Sequence, residues 1–402
     1  MSAILSRGDA ESLDERDPLR GFRDRFVIDP DSVYLDGNSL GSLPRAAVER
    51  LGRVVSEEWG VRGIRGWEDG WLELPLVVGD RLGAAVLGAG PGQTAVADST
   101  TVCFYKLVRA ALDARPGRRE IVTDEDNFPT DRYVLEGIAR ELGLELRWLR
   151  FDRAAGPTPE AVADAVGPET ALVTFSHVSY RSAHIAPMSE LGALARSAGA
   201  LMLWDLSHSA GSVPLGLDRD GADLAVGCTY KYLHGGPGAP AYMYVSAALQ
   251  DQLRQPIWGW LGRRDPFEMA PGWEPAAGIQ AFVSGTPPVL GLVAVDEGVR
   301  VVAEAGIDAI RAKGIELTEF AIALADGLDV MVGSPREASR RGAHVALAHP
   351  RARELCAALI ARGVIVDFRR PDVIRFGFAP LTTRFVDVFD GIEALRELLP
   401  GS

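Results

Sequence analysis

From Thr94 onward, short uninterrupted apolar runs alternate with stretches whose apolar positions recur every three to four residues. The runs fall at 95–97, 120–123, 171–175, 201–205, 222–227 and 241–245, and helical patterns occupy 101–113, 130–142 and 188–198. Strands apolar on both faces that alternate with helices predict an α/β body with a parallel sheet covered on both sides. Ahead of it, residues 1–60 combine a charged leader, the apolar Phe26-Val27-Ile28, a turn-rich stretch at 34–41 and a helical pattern through Glu58, which predicts an arm crossing the larger body. Past Gly-Thr-Pro-Pro (285–288), helices are expected at 290–305 and 307–327. A strand at 343–347, a helix at 351–362 and strands at 364–368 and 373–376 then read as a small α+β domain. The expected organisation is therefore an N-terminal segment (1–60) joined to the small domain, a large domain (61–290) and a C-terminal domain (291–402).

Composition narrows the function classes. At 402 residues, 47% hydrophobic and 24% charged, the chain is long enough for one large core plus a second, smaller one. Its formal net charge of −13 argues against a nucleic-acid partner, which needs clustered Lys and Arg. The first residues lack a signal-peptide core, and no run reaches the roughly 20 apolar residues of a membrane helix, so no membrane contact and a cytoplasmic location are expected. Cys103, Cys228 and Cys356 are too scattered for a disulfide framework or a Cys-x-x-Cys metal site, and no metal is expected. Only three lysines occur, Lys106, Lys231 and Lys313, in a chain whose other positive charge is arginine. A lysine kept in such a chain points to amine chemistry.

Two segments that each follow an apolar strand carry the first site signal: Trp-Asp-Leu-Ser-His-Ser-Ala-Gly (204–211) and Cys-Thr-Tyr-Lys-Tyr-Leu-His-Gly-Gly-Pro-Gly (228–238). Ligands of open α/β sheets bind at strand ends. Asp205 ending one strand and Lys231 after the next suit pyridoxal phosphate, whose aldehyde needs an amine and whose pyridine nitrogen needs an anion. His208 is a candidate for the phosphate or the ring substituents. Ala-Asp-Ser-Thr-Thr (97–101) opens a helix, so its N–H groups and the Thr100 and Thr101 hydroxyls form an anion site. In Asp-Asn-Phe-Pro-Thr-Asp (126–131), Phe128 is placed to stack on a flat cofactor. Read one at a time, these residues are equally a capped turn, a surface charge or core.

Together with Tyr-Leu-Asp-Gly-Asn-Ser-Leu-Gly (34–41) and Ile-Arg-Phe-Gly-Phe-Ala-Pro-Leu (374–381), these blocks occur in the order found in kynureninases, and from about residue 20 to 395 the chain resembles that family of fold-type-I pyridoxal-phosphate enzymes. The resemblance implies a large domain with a mainly parallel, mixed seven-stranded sheet between helices, and a homodimer with a shared active site. It makes Lys231 the residue that carries the cofactor, sets Asp205 on the pyridine nitrogen and stacks Phe128 on the ring. Thr100, Thr101, Asp131, His208 and Tyr230 become cofactor contacts, with Trp260 and Thr286 reaching in from the partner chain. Arg375 matches the clamp for the substrate α-carboxylate; Asn38 and Trp67 border the substrate. The implied reaction is hydrolysis of the Cβ–Cγ bond of kynurenine to anthranilate and alanine, with Tyr230 in acid–base work beside Lys231.

The chain departs from the family pattern mainly where an aryl group would be recognised. Gly-Trp-Leu-Gly-Arg (259–263) puts Leu261 and Arg263 where an aromatic and a histidine are common. Ser-Tyr-Arg-Ser (179–182), Cys103 and His234 also differ from the usual residues. Leu261 raises the expectation of a pocket that takes a 3-hydroxy or otherwise ring-substituted kynurenine. Competing readings are an aminotransferase- or desulfurase-like enzyme on the same fold, although Cys356 reads as core rather than as a mobile thiol, and a cofactor-binding protein without turnover.

Overall fold

A computed structural model of the protein describes residues 5–399; the outermost ends of the expected segments, 1–4 and 400–402, lie outside them. Seven strands form the large sheet: β1 (Thr94–Val96), β2 (Glu120–Asp124), β3 (Glu145–Leu149), β4 (Thr170–Ser176), β5 (Leu201–Asp205), β6 (Leu224–Gly227) and β7 (Tyr242–Val245). Their order is β1-β7-β6-β5-β4-β2-β3. The five strands β2 to β6 run parallel, whereas β7 is antiparallel to both β1 and β6. The apolar runs specify strands buried on both sides but not their direction, so the reversed β7 was not legible in the pattern. Nor was the edge strand β3, whose Glu-Leu-Arg-Trp-Leu is half polar and only partly buried.

The alternation of side chains splits the core in two. Val173, Phe175, Met202, Trp204 and Ala225 face one hydrophobic cluster, while Leu172, Leu201, Leu203, Leu224 and Val226 face the other. Helices α1 (Thr100–Asp113) and α2 (Pro129–Leu142) cover the second face; α3 (Met188–Ser197) and α4 (Val289–Ala305) cover the first. A third cluster belongs to the small domain. There β8 (Met331–Val332), β9 (His344–Ala348), β10 (Asp367–Arg369) and β11 (Val373–Gly377) form a four-stranded sheet in the order β8-β9-β11-β10, flanked by α6 (Ala352–Ala361) and α7 (Phe385–Arg396).

Core packing moves the expected boundary. Leu292, Val295 and Val299 of α4 are buried in the large-domain cluster, so this helix does not begin the C-terminal domain at 291. The change of core falls inside α5 (Ile307–Ala325): Ile310 packs with the large domain and Leu317 with the small one. Gly-Thr-Pro-Pro marks a helix start, which the same residues signal as readily as a domain break. The arm crosses both bodies. Its helix Arg7–Arg16 lies against α7, where Asp14 accepts from the backbone N–H groups of Phe385 (2.7 Å) and Val386 (3.0 Å) at that helix's start. Val33–Tyr34 pairs with Val364–Ile365 of the small domain, and the helix Arg45–Arg53 packs on α4.

Candidate active site

The carboxyl end of β5, the loop after β6 and the starts of α1 and α2 enclose a cavity of about 220 Å³. Its walls hold Thr100, Thr101, Phe128, Asp131, Asp205, His208, Tyr230 and Lys231, eight of the sequence candidates brought together from four separate segments. Asp98, Ser99, Thr130, Ser207, Gly238 and Ala239 complete the lining. Most of these additions lie inside the motifs already singled out, and the motif order carried no means of ranking them.

Each wall has a distinct chemistry. At one end, α1 begins with Thr100 and Thr101, and the Ser99 side chain caps it by accepting from Val102 N–H. Free N–H groups and the helix dipole favour an anion here. Asp98 would oppose that, but its carboxylate is paired with the buried ammonium of Lys106 at 2.5 Å. At another wall Asp205 ends β5 with 5% exposure. It accepts from Ser207 N–H at 2.9 Å and from Ser176 Oγ at 3.3 Å, so its orientation is fixed. Phe128 is half-buried and meets Tyr180 edge-on at 5.3 Å, which turns the ring into a rigid wall of the cavity.

Lys231 differs from the other two lysines. Lys106 and Lys313 are held by carboxylates, Lys313 by Asp17 at 2.6 Å. Lys231 Nζ lies 3.4 Å from both ring nitrogens of His208, an equidistance that marks a loose contact rather than a directed hydrogen bond. It also sits 5.8 Å from the ring centres of Phe128 and Tyr230. Burial, then the nearby Lys231 charge, pushes the His208 imidazole well below its usual range, so it is neutral. The Tyr230 phenol is pushed up, chiefly by burial, and keeps its proton.

Pyridoxal phosphate fits these residues. The buried Asp131 Oδ2 in the wall has no hydrogen-bond partner, and its carboxyl is pushed upward by burial and by Asp205. A polar group entering the cavity would satisfy it. The amine of Lys231, the anion of Asp205, the ring of Phe128 and the anion site at Thr100 and Thr101 answer the aldehyde, ring nitrogen, ring face and phosphate in turn.

Arg375 and Asn38 sit outside this lining but beside it. Arg375, 1% exposed, is near enough for its charge to depress His208. Buried Asn38, with its amide nitrogen toward Asp36 (3.1 Å), sets its oxygen 3.2–3.3 Å from the Arg375 guanidinium nitrogens. The arm also docks on the lysine loop: Gly41 N–H donates to the Tyr230 carbonyl at 2.8 Å. His234, at φ 56° in the left-handed region that histidine tolerates better than most residues, binds the Ser42 carbonyl through Nδ1 at 3.0 Å.

Other candidates lie away from the cavity. Trp67 packs edge-on against Trp71 at 5.3 Å. Leu261 is 5% exposed within the cluster that contains Cys103, Phe104 and Phe282, so its side chain packs in the chain's own core. Arg263 is tied to Glu268 and to the Asp265 carbonyl, both at 2.6 Å. Trp260 is half-buried and Thr286 exposed; neither reaches the cavity of its own chain. Cys356 is buried in α6, and the Cys103 thiol, pushed up to about 12 by burial, donates to the Ala97 carbonyl. No motif in the sequence singled out His344, which is fully buried with its ring centre 6.0 Å from that of His208.

Among solved structures, a cysteine desulfurase from Thermococcus onnurineus superposes with a TM-score of 0.83 at 20% identity, covering 95% of this chain and 98% of that one. Another from Escherichia coli gives 0.79 at 17% identity, covering 95% and 99%. These establish the fold alone. Residues 310–395 match the profile of the kynureninase C-terminal domain. Kynureninase of Burkholderia pseudomallei is 44% identical over 98% of this chain and 96% of its own, and that of Pseudomonas fluorescens is 42% identical over the same shares. With this identity over nearly its whole length, the chain belongs to the kynureninase family.

Proposed function

We propose that the protein hydrolyses the Cβ–Cγ bond of L-kynurenine, taking up one water and releasing anthranilate and L-alanine. The observation that carries the reading is Lys231: among the described residues it is the lysine without a carboxylate partner, and it stands in a cavity with an anion at one wall and an anion-binding helix start at another. Pyridoxal phosphate, when bound, supplies the electron sink that makes cleavage at Cβ feasible. Asp205 holds the proton on the ring nitrogen. Lys231 Nζ is the base for the Cα proton, and the loose contact with neutral His208 leaves it free to swing between that atom and the cofactor. Water adds to the γ-carbonyl, the Cβ–Cγ bond breaks, and the acid product leaves with the added oxygen. Tyr230, whose phenol keeps its proton, delivers a proton toward Cβ before alanine departs. Arg375 takes the α-carboxylate, and Asn38 sets the angle of its guanidinium.

A homodimer accords with this reading. Trp258, Phe267 and Met269 are 62–73% exposed on the segment that also carries Trp260, an apolar patch that a second copy would cover, and from there Trp260 and Thr286 would meet the partner's cofactor. A cytoplasmic location suits the three free, buried thiols. Among the described residues no helix is long and apolar enough to cross a membrane.

Lys231→Ala tests the assignment. Purified wild type should show the visible absorbance of lysine-bound cofactor and release fluorescent anthranilate from kynurenine, and the variant should do neither. Absorbance without anthranilate in the wild type would refute catalysis in favour of a binding protein.

A further inference from the structure

The proposed function gives Arg375 the substrate's α-carboxylate, yet its guanidinium is already engaged. Nε donates to Asp367 Oδ1 at 2.7 Å, and Nη2 pairs with Asp367 Oδ2. Nη1 donates to the Tyr180 carbonyl at 2.5 Å and Nη2 to Ser39 Oγ at 3.1 Å. A guanidinium has five N–H groups, and four are used in these bonds. The Asn38 oxygen, nearly equidistant at 3.2–3.3 Å from all three nitrogens, lies over the guanidinium face rather than in its plane, so one N–H on Nη1 is left. A two-point grip on a carboxylate needs a second, and the Nη2 hydrogen now directed at Ser39 is the one that can be released. Ser39 keeps its own bond to Asp367, at 3.0 Å, when it gives that one up. The Nε edge of the fork is thus committed to Asp367, and the Nη1–Nη2 edge is the one open to a ligand.

Charge adds a second argument. Arg375 and Asp367 alone form a neutral pair with little net attraction for an anion. Asp367 also pairs with Arg369, so these three groups carry a net +1, which the neighbouring Asp36 carboxyl offsets only as it ionises near pH 6. With Asp36 protonated, the cluster matches one monocarboxylate. Asp367 and Arg375 face each other across the antiparallel pair β10–β11, a register that brings them together whatever the ligand, so strand pairing alone is the rival explanation.

We propose that Asp367 is the positioning residue of the clamp, held between Arg375 and Arg369 so that the Nη1–Nη2 edge of Arg375 meets the substrate carboxylate. This inference rests on the proposed function. The test compares holoenzyme of wild type and Asp367→Asn for turnover of kynurenine and for inhibition by the same aryl-ketone amine lacking its α-carboxyl group. Loss of a charge-assisted contact should raise KM for kynurenine by about tenfold or more, with kcat within about threefold. The inhibition constant of the decarboxylated compound should stay within about twofold, and the cofactor absorbance should be retained. An unchanged KM, or a KM and an inhibition constant that rise together, would overturn the proposal, the second result showing a structural role only. Should the asparagine variant fail to hold cofactor, Asp367→Glu, which keeps the charge but shifts it, is judged by the same ratio. Failure of the wild type to release anthranilate would sink the proposed function; a normal wild type with an indifferent Asp367→Asn would sink only the role of Asp367.

Discussion

Gly41 lies where the arm touches the lysine loop, and alanine there should damage catalysis without removing any chemical group. A Cβ on Gly41 would stand 2.1 Å from the Lys231 carbonyl oxygen and 2.8 Å from His234 Nδ1. Ordinary contact begins near 3.4 Å, so roughly 1.3 Å must be taken up, and the nearest obstacle is backbone. That carbonyl also accepts from His234 N–H at 3.0 Å, and Gly41 N–H holds Tyr230, so the strain falls on the two residues assigned to acid–base work. Overpacking of this kind costs about 1–3 kcal/mol of stability, and a displacement of about 1 Å at the reacting amine costs on the order of 10²-fold in rate. The assay is kcat for kynurenine by anthranilate fluorescence, with Tm and cofactor absorbance measured on the same sample. Expected are a lower Tm, retained absorbance and a kcat lower by about 10²-fold. An alanine variant with wild-type kcat would refute the claim that this contact sets the position of Lys231.

Asp205→Asn keeps the shape of a side chain fixed by Ser207 and Ser176 but removes the charge; kcat should fall by about 10²–10³-fold, read in the same assay, and a variant within about threefold would exclude the ring-nitrogen role. Asp36, beside Asp367, Arg375, Arg369 and Tyr34, has its carboxyl pushed from 3.8 up to about 6, first by burial and then by Asp367. It is neutral below that pH and ionised above it, so as pH rises through 6 a negative charge appears near Arg375. KM for kynurenine should therefore rise between about pH 5 and 7 in the wild type and stay flat in Asp36→Asn. The same group binds its proton more tightly in the folded chain, so it costs stability as pH rises from about 4 to 6, and the difference in Tm between variant and wild type should grow over that window.

How much was legible beforehand differs by element. The apolar runs placed β2, β4, β5 and β6 because strands buried on both faces leave an unbroken signature, and the polar edge strand β3 left none. The cavity residues were legible in groups, since Asp205, His208, Tyr230 and Lys231 lie in two short motifs at neighbouring strand ends. Asp98 was inside a quoted motif yet unassigned, because its meaning comes from Lys106, eight residues on and one helix turn too far for a local pairing rule. For Leu261, position in the family pattern does not say which way the side chain turns, and the short turn Trp260–Gly262 points it into the core. The small-domain partners of Arg375 were invisible because they depend on strand register between 367 and 375.

The scarcity of lysine acquires a physical meaning in the fold. Lys106 and Lys313 are both buried and both locked to aspartates, and a charge fixed in an ion pair is a task arginine performs at least as well. Lys231 has a task that arginine cannot perform. A guanidinium does not add to an aldehyde as a primary amine does, whereas Lys231, set beside Phe128, Tyr230 and a neutral His208, offers a primary amine to the cavity. Asp205 and Asp131 face the same cavity, as does Asp98, whose charge is paired with Lys106. Lysine at 231 thus suits bond-making with a cofactor carbonyl, and the arm that crosses from the small domain to Gly41 connects that amine to Arg375, the proposed clamp for the substrate's other end.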